Sequence, residues 1–140
     1  MKKVVFIFLL LWVLFPMASC NLDQEFNPIE LSTDGIDFIE VDRLTLSADI
    51  PSEGISFSIT GIGKYADRVC VNDVTIDGLV QNDPSIPIYS LSGDWGCFNQ
   101  KDNTIKFKIN PNTTEKIRVL KFTVGGGYWV RYLSLTQKAK

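Results

Sequence analysis

Alternation of apolar and polar side chains with a period of two, interrupted by turn residues, limits what this chain can fold into. Ile55-Ser56-Phe57-Ser58-Ile59-Thr60 puts Ile55, Phe57 and Ile59 on one face. Ile105-Lys106-Phe107-Lys108-Ile109-Asn110 repeats the pattern with its lysines toward water, and Leu44-Thr45-Leu46-Ser47 is a shorter instance. Successive side chains of an extended strand point to opposite sides, so each segment reads as a half-buried strand. No window of comparable strength has helical period. Turn chemistry falls between the strands: Pro51-Ser52-Glu53-Gly54, Asn110-Pro111-Asn112-Thr113-Thr114, and Gly125-Gly126-Gly127, the last predicting a hairpin into Tyr128. Many short strands with turn signals and no helices predict an all-β, antiparallel sandwich.

The first twenty residues follow a different logic. Lys2 and Lys3 precede twelve uninterrupted apolar residues, Val4 to Phe15, and Pro16 ends the run. As a helix, twelve residues reach about 18 Å, short of a hydrocarbon core of about 30 Å. Met17-Ala18-Ser19-Cys20 then resembles the lipobox of bacterial lipoproteins, with Met in place of the usual Leu. The resemblance implies a signal peptide over residues 1–19 and lipid on Cys20, hence a chain held to a membrane in the bacterial envelope. The outer membrane is the expected location, with the leaflet and surface exposure left open. Residues 20–35 are polar and lack either period, which predicts a flexible tether before a domain spanning 36–140.

Removing residues 1–19 leaves 12 of the 14 basic residues against 16 acidic ones, a net charge of −4. Nucleic acid is not an expected partner, because its backbone requires clustered Lys and Arg. Cys70 and Cys97 remain as an even pair in a disulfide-permissive compartment. A bridge would close a loop of about 28 residues and contribute roughly 3–4 kcal/mol; two small buried thiols are the alternative.

The sequence has no histidine, which removes Ser-His-Asp and Cys-His nucleophiles and His-ligated zinc. Gly61-Ile62-Gly63-Lys64 lacks the third glycine and the helix of a nucleotide loop. Asp34, Asp37, Glu40 and Asp42 cluster in sequence, as do Asp73 and Asp77, but they read as solvated edges, and no calcium-loop spacing is present. No enzyme, metal or cofactor is expected. Aromatic residues are the candidates for contact. With Leu133 and Leu135 inward, Trp129 and Arg131 share their parity, and Tyr128, Val130 and Tyr132 face out. Two exposed tyrosines four residues apart lie roughly 13–14 Å apart and offer flat rings that stack on sugars. Trp129 and Trp95 are further candidates, and core or sheet cover is the competing role for all four.

The C-terminal half resembles the BACON domain, a name that stands for Bacteroidetes-associated carbohydrate-binding, often N-terminal. The likeness rests on the alternating strand Ile105 to Ile109, Asn112, Arg118, a strand through Val124, the glycines, and a closing strand ending Leu133-Ser134-Leu135-Thr136-Gln137. Trp95 is similar to a tryptophan that precedes the alternating strand. The resemblance is strongest over residues 104–137. It implies an immunoglobulin-like β-sandwich and, less directly, a non-catalytic module binding glycan or glycoprotein. A structural or accessory subunit of an envelope complex, without a sugar site, is the alternative.

Overall fold

The computed structural model describes residues 25–80, 90–91 and 93–140. Cys20 and the segment 1–19, with the lipid anchor assigned to them, lie outside the described residues, as does the run Ile86-Pro87-Ile88-Tyr89. Twelve strands are described: β1 (Asn27–Pro28), β2 (Leu31–Asp34), β3 (Ile39–Glu40), β4 (Thr45–Ile50), β5 (Ile55–Gly61), β6 (Val71–Ile76), β7 (Leu79–Val80), β8 (Ser90–Leu91), β9 (Gly96–Lys101), β10 (Thr104–Ile109), β11 (Arg118–Gly126) and β12 (Trp129–Gln137). Two short 3-10 segments, Gly63–Arg68 and Gly93–Trp95, interrupt the β structure where no helix was expected.

One sheet has the order β3-β4-β12-β11-β6-β7, with β1 also paired to β12; the other is β2-β5-β10-β9-β8. Strands β2-β5-β10-β9 occupy the places of A, B, E and D in an immunoglobulin domain, and β12-β11-β6-β7 those of G, F, C and C′. The chain is therefore an all-β, immunoglobulin-like sandwich. It is antiparallel except at the start of the chain, where β1 and β4 both run parallel to β12.

The alternating strands meet as their pattern requires. In the antiparallel pair β5 and β10, Phe57 lies opposite Phe107 and Ile59 opposite Ile105, all buried. The Phe57 and Phe107 rings stack at 4.7 Å, and Phe122 of β11 lies 5.0 Å from Phe107. Antibody domains pin strands B and F with a disulfide; here phenylalanines span that distance. Gly125, with φ 119, lets the β11–β12 hairpin close, because a Cβ there would sit 2.1 Å from the Trp129 carbonyl.

Two expectations need correction. The tether was expected to run to residue 35, but Leu31 to Asp34 pair with Gly61 to Ser58, and both Ile29 and Ile36 are buried in the core. The domain thus begins by Asn27; β1 and β2 are short, and their partners lie far along the chain, so no local period marks them. The second concerns the cysteines, which are both free thiols. Cys97 points outward from β9, opposite Lys108, because its neighbour Phe98 takes the inward position. Cys70 precedes β6 on the other sheet, where its Sγ–H donates to the Gly125 carbonyl at 3.2 Å. A bridge would have to cross the core.

Candidate functional site

Strand β12 orders the outer face of the larger sheet. Tyr132 lies opposite Thr45 of β4 and Thr123 of β11, and Thr123 lies opposite Asn72 of β6. One step along, Ser134 lies opposite Ser47 and Lys121, and Lys121 opposite Thr75. The β6–β11 register shifts between these rows, so that two residues of β11 span three of β6. Asp73, at φ 45, is the extra residue of this bulge. Asp73 shares the face of Thr75 by strand parity; bulges re-aim side chains at functional edges, and this one turns Asn72, opposite Thr123, onto that face as well.

The result is an open groove of about 630 Å³, lined by Tyr132, Thr45, Ser47, Asp73, Lys121 and Thr123 among others. Each hydroxyl both donates and accepts. The tyrosine adds a flat apolar surface, 41% exposed. Such a lining suits a ligand rich in hydroxyls. Among the described residues no cluster of three or more metal-ligating side chains occurs. Sequence reasoning found Tyr132 through its parity with Leu133, but it missed the hydroxyl rows and the bulge. The bulge has a signal in the spacing Val71, Val74, Ile76, which steps by three before it steps by two.

The other three aromatic candidates separate. Tyr128 is exposed as expected, but it sits in the hairpin turn after Gly127, beside the Phe26 ring at 6.4 Å, and does not line the groove. Trp129 packs against the core, and its ring stacks on Tyr65 at 3.9 Å. Trp95 is buried beneath the Arg118 guanidinium, 4.5 Å from its ring centroid. Trp95 is thereby withdrawn from contact, whereas Trp129 stays partly exposed and lines a smaller pocket with Ile62 and Tyr65. Val130, expected outside, is buried; it lies beside β1, whose pairing reverses its exposure. Arg131 keeps the inward parity, and its guanidinium donates to the Ile29 and Arg43 carbonyls.

Residues that carried the family resemblance converge at one end of the sandwich, and their work there is structural. Gln137 is fully buried; its amide donates to the Pro51 and Asn110 carbonyls, and its carbonyl accepts from Arg118. Asn112 is buried too, donating to the Lys116 and Lys138 carbonyls and accepting from the Thr114 amide and hydroxyl. That uses the whole capacity of the asparagine side chain.

Among the described residues, two of the clustered acids accept backbone amides at turns. Asp42 caps the turn into β4, accepting from the Leu44 and Thr45 amides at 2.8 and 2.9 Å. The Leu44 amide, followed by the Thr45 side chain, holds its carboxyl below the ordinary 3.8. Asp77 accepts from the Val119 amide.

Fold and face together make an immunoglobulin-like β-sandwich with an open groove on its larger sheet. A solved NMR structure of a protein from Bacteroides thetaiotaomicron shares this fold, with a TM-score of 0.62, 20% identity, and coverage of 86% of this chain and 94% of that one. Titin domain M7 gives a TM-score of 0.42 at 15% identity, over 76% of this chain and 97% of that one. No family model matches the sequence, and no curated protein matches it.

Proposed function

We propose that this chain is a lipid-anchored envelope protein, held through Cys20, whose BACON-like sandwich binds glycan or glycoprotein without catalysing a reaction. The observation that carries the reading is the exposed Tyr132 ring within a groove of threonine and serine hydroxyls. An aromatic face with hydroxyls around it supplies apolar contact and hydrogen bonds without burying a charge. The sequence before Cys20 supports the anchor.

A glycan array on the domain from residue 25 onward tests the binding. Tyr132→Ala should weaken any glycan found by about 2 kcal/mol, the cost of truncating a central aromatic, and leave the thermal midpoint in place. Retention of full affinity in Tyr132→Ala would place the site elsewhere. An empty array would favour the second reading, an accessory subunit of an envelope complex. For that reading the supporting observation is the short edge strand β3 and its exit, where Ile39 and Val41 stand 70% and 63% exposed. A pull-down on the lipidated protein would then be weakened by Ile39→Lys.

A further inference from the structure

The end at which the chain enters the sandwich carries an apolar surface that the groove does not use. Asn27 pairs with Trp129, and its amide donates to the Tyr128 carbonyl at 2.6 Å. Phe26 is thereby set beside Tyr128. Across the same end Ile62 follows β5, tied by its amide to the Glu30 carbonyl at 3.0 Å. Phe26, Ile62 and Tyr128 are 41%, 44% and 48% exposed. Below them the Tyr65 and Trp129 stack closes the floor.

Charge at this end is balanced. Arg43 donates to the Phe26 carbonyl and pairs with Glu25, while Lys64 and Arg68 lie over the Tyr65 ring. Against these three cations stand Glu25, Glu30 and Asp67 on the same segments. The surface has aromatic area without a strong field, so neither nucleic acid nor a highly charged protein suits it. Tyrosine and other amphipathic rings favour the headgroup layer of a bilayer.

What covers the surface follows from the length of chain before it, granted the lipid on Cys20 on which this inference rests. Six residue steps separate Cys20 from Phe26, so at full extension they reach at most about 20 Å. The headgroup layer itself takes roughly 5–8 Å of that. Strand β12 runs nine residues away from this end, or about 30 Å. Lipid on Cys20 therefore confines the Phe26 end close to the bilayer, whereas the Gln137 end, a strand's length off, is under no such constraint. The burial of Ile29, which starts the fold earlier than the polar sequence suggests, makes the leash this short.

We propose that Phe26, Ile62 and Tyr128 rest in the headgroup layer of the membrane that holds Cys20, standing the sandwich on its entry end. Tyr132 is four residues further along the chain, about 13–14 Å at strand rise. The groove then lies on the flank of an upright domain, open to ligands in the surrounding medium. Contact of this kind is apolar and should survive about 1 M salt, where the Debye length is only about 3 Å.

The test uses the full lipidated protein reconstituted in phosphatidylcholine vesicles carrying bromine at shallow acyl positions. Tyr128→Trp and Tyr132→Trp serve as reporters, each read as emission gained over the parent protein. Emission from Tyr128→Trp should fall about twofold relative to unbrominated vesicles, as a ring at interfacial depth requires, and salt should not restore it. Tyr132→Trp should not change. Adding Phe26→Ser and Ile62→Ser to the Tyr128→Trp protein should abolish the quenching while the protein still floats with the vesicles. Equal quenching of both reporters, or of neither, in protein that co-floats would overturn the proposal and leave the anchor standing. Protein that fails to co-float would remove the anchor and this proposal together.

Discussion

The two ends of the sandwich invert the usual distribution of polar and apolar groups. Where the chain leaves, Asn112 and Gln137 are buried and Arg118 is half-buried, with their amides and guanidinium bonded to one another's segments. Where it enters, Phe26, Ile62 and Tyr128 stand in the open. Both ends hang on β11 and β12, so the difference lies in side chains and not in the scaffold. A buried polar group needs a partner or costs stability, so it is committed to architecture. An exposed apolar ring has no such duty and is available to something outside the fold. The family-like residues therefore report on the fold, and the surface that could act lies elsewhere.

The largest expected effect breaks the exit end. Gln137→Ala removes the partner of the Pro51 and Asn110 carbonyls and of the Arg118 guanidinium. Leaving such groups unpaired in the interior should lower stability by about 3 kcal/mol. Denaturant unfolding measures this, and a loss below about 1 kcal/mol would show that the network adds little.

At the entry end the matching experiment is the double variant Phe26→Ser with Tyr128→Ser. Surface substitutions away from special features change stability by about 0.5 kcal/mol or less each, so the unfolding midpoint should hardly move. A loss above about 2 kcal/mol would make the rings part of the core's support and erase the contrast between the ends.

The smallest effect sharpens the comparison at Asp42, an exposed acid at the turn into β4. Its carboxylate accepts two amides, and its folded pKa lies below the ordinary 3.8. A carboxyl with a depressed pKa stabilises the fold fully above its unfolded value, and the contribution is lost as pH falls through the folded one. NMR titration should find the Asp42 midpoint below 3.8, and Asp42→Ala should flatten the stability profile slightly in that acid range. A midpoint above the ordinary value would show that the cap does not form in solution.

Much of the fold was legible because alternation is local. Ile55 to Thr60 and Ile105 to Ile109 became β5 and β10, paired in a register that puts like residues opposite each other. The glycine hairpin formed where three glycines announced it. The exposed face of Tyr132 followed from the parity of Leu133 and Leu135, whereas Tyr128 is exposed because it sits in the hairpin turn. The site was less legible. Thr45, Lys121, Thr123 and Thr75 come from three strands, and no sequence spacing relates them; only the sheet order β4-β12-β11-β6 puts them on one face. Cys70 and Cys97 show the same limit, since an even count says nothing about which sheet each strand joins.

The sequence by itself determined the all-β character, the inward face of each strong strand, and the absence of histidine chemistry, because each depends on residue type and nearest neighbours. Tertiary structure decided where the domain begins, which aromatic rings meet and which stay apart, and what the family-like residues do. Those outcomes depend on contacts between distant parts of the chain. Ile29 is core only because β1 and β2 find β12 and β5, about 100 and 30 residues away. Trp95 is covered only because β11 brings Arg118 over it. Local patterning sets how a segment folds, but the free energy of burial is settled by whatever segment arrives opposite.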